Sequence, residues 1–189
     1  MPRSRRTSLA LLLVLVLTTA GCGGVGATGD KGYVDGSGVI TLLKEAEREK
    51  PGPVAGTTLE GEQVSLAQYA GKVVVINVWG SWCPPCRSEV DDLVVAAEEL
   101  MPQGVVFLGI NTRDVSKENA LAFQRQRGVP YASIFDPGGK NLLEFDGTLS
   151  PNAIPSTVVI DAQGRVAASI IGEVTSARTL VALIEDVRG

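Results

Sequence analysis

Apolar residues along the chain fall into a few distinct patterns. Residues 73–79 form a β-branched run without alternation, the pattern of a central strand covered on both faces. In residues 84–101, Val90, Leu93, Val94, Ala97 and Met101 recur at three- and four-residue steps and predict an amphipathic helix. Residues 105–110 read as a second buried strand, so the order strand, helix, strand predicts a parallel crossover unit. A further helix is expected over residues 117–127, ended by Gly128-Val129-Pro130, and a helical turn over 141–145. Residues 157–161 and 166–171 read as strands joined by Ala162-Gln163-Gly164-Arg165, an antiparallel hairpin. Leu180, Leu183, Ile184 and Val187 share one face of a closing helix. Upstream, residues 57–66 predict a hairpin turning at Glu60-Gly61-Glu62. Val39, Leu42, Leu43 and Ala46 predict a short helix over 39–50, stopped by Pro51-Gly52-Pro53. One crossover unit plus antiparallel hairpins makes an α/β fold: a mixed central sheet flanked by helices, with an N-terminal β-hairpin extension.

The N-terminal pattern differs. Arg3, Arg5 and Arg6 precede an unbroken apolar run over residues 9–17, the layout of an export signal. Nine helical residues reach roughly 14 Å against a hydrocarbon core of about 30 Å, too short for a comfortable span. Thr19-Ala20-Gly21-Cys22 resembles a bacterial lipobox, with Thr19 departing from its usual Leu, Val or Ile. That resemblance implies removal of residues 1–21, a lipid on Cys22, and anchoring to the outer face of the cell membrane. The alternative is plain secretion after cleavage near Ala20. Residues 22–50 are then a Gly-rich tether with the short helix, and 51–189 the folded domain.

Composition narrows the chemistry. The chain has 189 residues, 44% of them apolar, which suits one compact domain. Loss of residues 1–21 removes three arginines, leaving 14 Lys+Arg against 21 Asp+Glu and a formal charge of about −7. No basic cluster points to nucleic acid. Histidine is absent, which excludes Cys-His proteases and most zinc enzymes.

The candidate chemistry is Cys83 and Cys86, at the junction of the central strand and the helix. A disulfide there encloses four residues, and loop entropy credits it with about 2 kcal/mol at most, a weak reason for a structural cross-link. A structural zinc site needs four ligands, and the domain holds two cysteines and no histidine, so neither metal nor cofactor is expected. At the N-cap, Cys83 can accept from the N–H of Cys86, and the helix dipole favours its thiolate. Pro84 and Pro85 lack N–H groups, and Arg87 is either a source of positive potential or a solvated surface charge. Cys83 is expected as the exposed nucleophile and Cys86 as the resolving thiol of a redox-active disulfide.

The run Trp79-Gly80-Ser81-Trp82-Cys83-Pro84-Pro85-Cys86-Arg87 resembles the thioredoxin superfamily, and within it the membrane-tethered TlpA-like and ResA-like group. The resemblance spans residues 57–187. Ile154-Pro155-Ser156-Thr157 resembles the family's cis-proline segment, which implies that the Ile154 main chain pairs with a partner polypeptide and Pro155 shapes the groove. Trp82, Pro84 and Pro85 complete the implied substrate face. Many thioredoxins have a buried aspartate where this chain has Asn77; the ResA-like group implicates a glutamate where Glu89 stands. Glu89 borders the buried face by its spacing from Cys86, Val90 and Leu93, so a raised pKa and proton exchange with Cys86 are expected; the alternative is an ordinary surface glutamate. Asp91 replaces the usual helix-kinking proline, which implies a straighter helix.

The resemblance implies an extracytoplasmic, monomeric thiol-disulfide oxidoreductase acting as a reductant. Its implied partners are protein disulfides, apocytochrome c among them, and a membrane dithiol donor. A thiol peroxidase of peroxiredoxin type is an alternative, although no Thr-x-x-Cys precedes Cys83. A copper chaperone is another, although such proteins use Cys-x-x-x-Cys and a distant histidine.

Overall fold

Six consecutive buried residues, Val74–Trp79, set the centre of the molecule. In the computed structural model, which describes residues 33–35 and 38–189, the chain runs through strands β1 (Tyr33–Asp35), β2 (Gly38–Leu42), β3 (Ala55–Thr57), β4 (Gln63–Ser65) and β5 (Val74–Trp79). Helix α1 (Pro84–Leu100), strand β6 (Val106–Thr112), helix α2 (Lys117–Gln126) and strand β7 (Ser133–Asp136) follow. Strands β8 (Ser156–Ile160) and β9 (Val166–Gly172) and helix α3 (Ala177–Arg188) close the chain.

The main sheet has the order β1-β2-β9-β8-β5-β6-β7. Its β5–β6 and β6–β7 pairs are parallel, and its other pairs are antiparallel, which makes the mixed sheet expected of the sequence. Side chains alternate across it. Val75, Phe107 and Val159 are register partners on the face covered by α1 and α3, packed with Leu93, Ala97, Leu180 and Ile184. Ile76, Leu108 and Val158 are partners on the other face, packed with Val54, Leu142 and Phe145. The β3–β4 hairpin turns at Gly61, whose φ of 105° suits a residue without Cβ, and it docks on β7 through Leu59 N–H to the Ser133 carbonyl at 2.8 Å.

Three expectations need correction. Within the stretch read as tether and short helix, residues 33–35 and 38–42 are strands, and only Glu45–Glu47 make a 3-10 turn. Val39, Ile40 and Thr41 are β-branched, and their backbone completes the free edge of β9 from Gly38↔Gly172 to Leu42↔Ala168. Val39 and Leu42 stay exposed, while Ile40 and Leu43 pack against the two apolar cores. Second, β7 was not anticipated. Third, α1 buries Ala96 and Leu100 where Val94 and Met101 were expected to face inward. The export signal, Cys22 and the start of the tether lie outside the described residues.

Candidate functional site

The site forms where β5 leaves the sheet and α1 begins. Cys83 is the N-cap of α1 in extended conformation, its Sγ accepting from the Cys86 N–H at 3.2 Å, with Pro84 and Pro85 at the first two helical positions. Those prolines leave Cys86 the first donor of the turn. The two cysteines are joined as a disulfide, with Cα atoms 5.3 Å apart.

Cys83 is 2% exposed, as is Cys86, so the expected exposed nucleophile is covered in the oxidised state. Leu59 of the hairpin, Trp79, Ala120 of α2 and the half-buried Ile154 pack around the pair. Of these only Trp79 belongs to the motif; the others reach the pair from the hairpin, α2 and the segment before β8, which the motif does not announce. Trp82, Pro84 and Pro85 remain exposed beside it, with Trp82 47% accessible. The Ile154–Pro155 peptide is cis and precedes β8, and Ile154 packs against the apolar cluster that contains the two cysteines.

Glu89 lies one turn beyond Cys86 and is 1% exposed. Its Oε1 accepts from Asn77 Nδ2 at 2.9 Å and its Oε2 from the Val174 N–H at 2.8 Å. Burial outweighs these two donors, and Glu173 and Asp92 add like charge, so the carboxyl pKa is pushed from 4.5 to about 7. The surface alternative for Glu89 is thereby excluded. Asn77 also donates to Thr157 Oγ1 at 3.2 Å, so both its amide hydrogens are engaged. Tyr131 is buried nearby, its phenol held neutral by desolvation and then by the charge of Glu89. A cavity of about 10 Å³ beside Tyr131 is lined also by Asn77, Trp79, Cys86 and Phe123. That is on the scale of one water.

Arg87 turns its guanidinium over the Phe123 ring, 5.7 Å from the centroid, and reaches the Ser81 carbonyl at 3.4 Å. Asp91 pairs with Arg127 at 2.8 Å and is mostly exposed, so the position read for a missing proline serves a link from α1 to the end of α2. Among the described residues no cluster of three or more His, Cys, Asp or Glu side chains is placed to hold a metal.

Sequence reading missed the turn that follows β6. Asp114, 6% exposed, accepts from the Ser81 N–H at 2.8 Å, from the Ser81 hydroxyl, and from Asn111 Nδ2 at 2.6 Å. The Thr112 carbonyl accepts from Trp82 Nε1 at 3.2 Å. The available signal was an Asn and an Asp three apart at a strand end, a pattern of side-chain-stabilised turns.

Sequence and structure comparisons agree with this geometry. The Redoxin family profile matches residues 46–184. The thiol-disulfide oxidoreductase ResA of Bacillus cereus is 30% identical over 173 residues, 92% of each chain. The structure of a DsbF homologue from Corynebacterium diphtheriae superposes with a TM-score of 0.73 at 38% identity, covering 82% of this chain and 98% of that one. A secreted thiol-disulfide isomerase from Corynebacterium glutamicum gives 0.71 at 38% identity, covering 77% and 92%.

Proposed function

Because the chain belongs to the Redoxin family, as one of its ResA-like thiol-disulfide oxidoreductases, we propose that Cys83 and Cys86 are the dithiol through which it exchanges electrons with partner proteins. The observation that carries the assignment of roles is the N-cap cysteine pair with Glu89 buried one turn below it.

In the reduced protein the Cys83 thiolate, stabilised by the Cys86 N–H and the helix dipole, attacks one sulfur of a partner disulfide. A Cys83–partner mixed disulfide forms and the partner's other sulfur leaves as thiolate. Glu89, as carboxylate, takes the proton of the Cys86 thiol; the Cys86 thiolate attacks Cys83 Sγ and expels the partner's second thiolate, which protonates. Cys83 and Cys86 end oxidised and the partner reduced by two electrons. A pKa of about 7 suits Glu89 to both accept and return that proton near neutrality. Ile154 and Pro155 present main chain to the partner, while Trp82, Pro84 and Pro85 form the surface it meets.

The direction proposed is reduction of protein disulfides outside the cytoplasm, with apocytochrome c cysteines as the substrate implied by the ResA resemblance and a membrane dithiol as electron source. The export-type N terminus supports that compartment, as does the description of the Corynebacterium glutamicum relative as secreted. Anchoring through a lipid on Cys22 is part of the same proposal. A Cys22→Ser substitution is expected to release the protein from membranes, and unchanged membrane association would remove the anchor from the account. The direction is tested by equilibrating the pair in defined thiol buffers. A potential near −270 mV supports a reductant, and one near −120 mV rules it out. A Cys86→Ala variant should trap partners as mixed disulfides on Cys83.

A further inference from the structure

Two loops flank the cysteine pair. Residues 80–82 carry β5 into α1, and residues 150–155 lead into β8. Both are held from one turn, residues 111–114, at the end of β6. On one side the buried Asp114 carboxylate takes the Ser81 N–H and hydroxyl, and the Thr112 carbonyl takes the Trp82 indole N–H. Gly80 leaves room for that indole: a Cβ there would lie 2.4 Å from Trp82 Nε1 and 3.0 Å from the Thr112 carbonyl. On the other side Arg113 Nη2 donates to the Pro151 carbonyl and to Asn152 Oδ1, each at 2.9 Å.

Arg113 does this from a left-handed backbone, φ 56°, and is the non-glycine residue with positive φ among the described residues. An L side chain adopts that conformation at an energetic cost, and such outliers persist where surrounding contacts over-determine them. Glycine would fit the backbone better and would lose the link to residues 151–152. Neither Arg113 nor Asp114 takes part in the exchange chemistry, and neither belongs to the apolar cores.

We propose that residues 111–114 form a brace that fixes the two flanking loops relative to each other. Asp114 is the positioning residue for Ser81 and hence Cys83, while the Thr112 carbonyl seats Trp82; Arg113 is the positioning residue for the loop ahead of Ile154–Pro155. The brace sets how well an extended polypeptide, which must lie along both loops, is accepted compared with a small disulfide that meets only Cys83. This rests on the reading of Cys83 as nucleophile toward protein disulfides.

The test uses the reduced full-length protein and two probes, a disulfide-linked peptide and hydroxyethyl disulfide. In Arg113→Gly the ratio of peptide rate to small-disulfide rate is expected to fall about tenfold, a modest part of what misplacing a reacting group can cost, and amide exchange at residues 152–154 to quicken. Arg113→Lys keeps the charge without the fork and is expected to fall between. In Asp114→Ala, which removes both acceptor oxygens, the Ser81 amide should lose protection, both probes should slow, and the Cys83 thiol pKa should shift; Asp114→Asn, whose remaining oxygen can still accept the Ser81 N–H, should change each of them less. An unchanged rate ratio and unchanged amide exchange in Arg113→Gly would overturn the brace, as would full Ser81 protection in Asp114→Ala. If the unaltered protein exchanges with neither probe, the redox reading fails instead, and the amide-exchange measurements still decide whether the turn braces the loops.

Discussion

Glu89 is held by two N–H donors and is nonetheless easier to protonate than in water, because desolvation of the buried carboxylate exceeds what those donors return. Since its folded pKa is raised, the native state binds this proton more tightly than the unfolded chain. The resulting stabilisation is full below pH 4.5 and is lost as pH rises through about 7. At about 1.4 kcal/mol per pKa unit, ionising Glu89 in place costs roughly 3 kcal/mol. Denaturant titrations of the oxidised protein at pH 5 and pH 8 should show that fall, and Glu89→Gln should flatten it; equal slopes for both proteins would show that Glu89 does not titrate as described. In single-turnover kinetics the same variant should slow resolution of the mixed disulfide about a hundredfold and lose a pH midpoint near 7; a normal rate would remove Glu89 from the proton path. The spacing from Cys86, Val90 and Leu93 put Glu89 at the border of the buried face and left a surface position open, and the structure buries it. Its partners were not legible: Asn77 could be read only as an aspartate lost, whereas its amide donates to the Glu89 carboxyl, and the Val174 N–H comes from 85 residues away.

Among the elements, β5, β6, β8, β9 and α3 could be read because each carries one unambiguous apolar pattern. β2 could not, since its apolar residues also fit a helical step and the deciding partner, the edge of β9, lies over 120 residues downstream. β7 has four residues, too few for any period to show. The junction of β6 and β7 supplies a test at this scale. Gly109 pairs with Ser133, and a Cβ on it would lie 2.1 Å from Ser133 Oγ and 2.9 Å from Trp79 Nε1. Those two atoms hydrogen-bond each other at 3.1 Å behind the cysteines. Gly109→Ala is expected to destabilise the domain by about 1–3 kcal/mol and to shift the near-UV signal of Trp79; an unchanged melting temperature would show that the sheet absorbs the methyl group.

For the whole molecule, the four-residue disulfide loop adds about 2 kcal/mol at most, so two apolar cores carry the fold in either redox state. Reduction is expected to lower Tm by roughly 4–8 °C for a domain of this size. A reduced form that melts higher would mark the reduced state as the favoured one, as in strong oxidants, and would reverse the proposed direction of electron flow. The fold class was legible at this scale because a parallel crossover followed by an antiparallel hairpin admits few arrangements. The seating of β2 against β9 also imposes an order in time. The first strands of the domain to be synthesised pair with the last strand of its sheet, so they must wait for nearly the whole chain before they dock. Until then β9 and β2 each present an open edge, along a seam on the opposite side of β5 from the parallel strands β6 and β7.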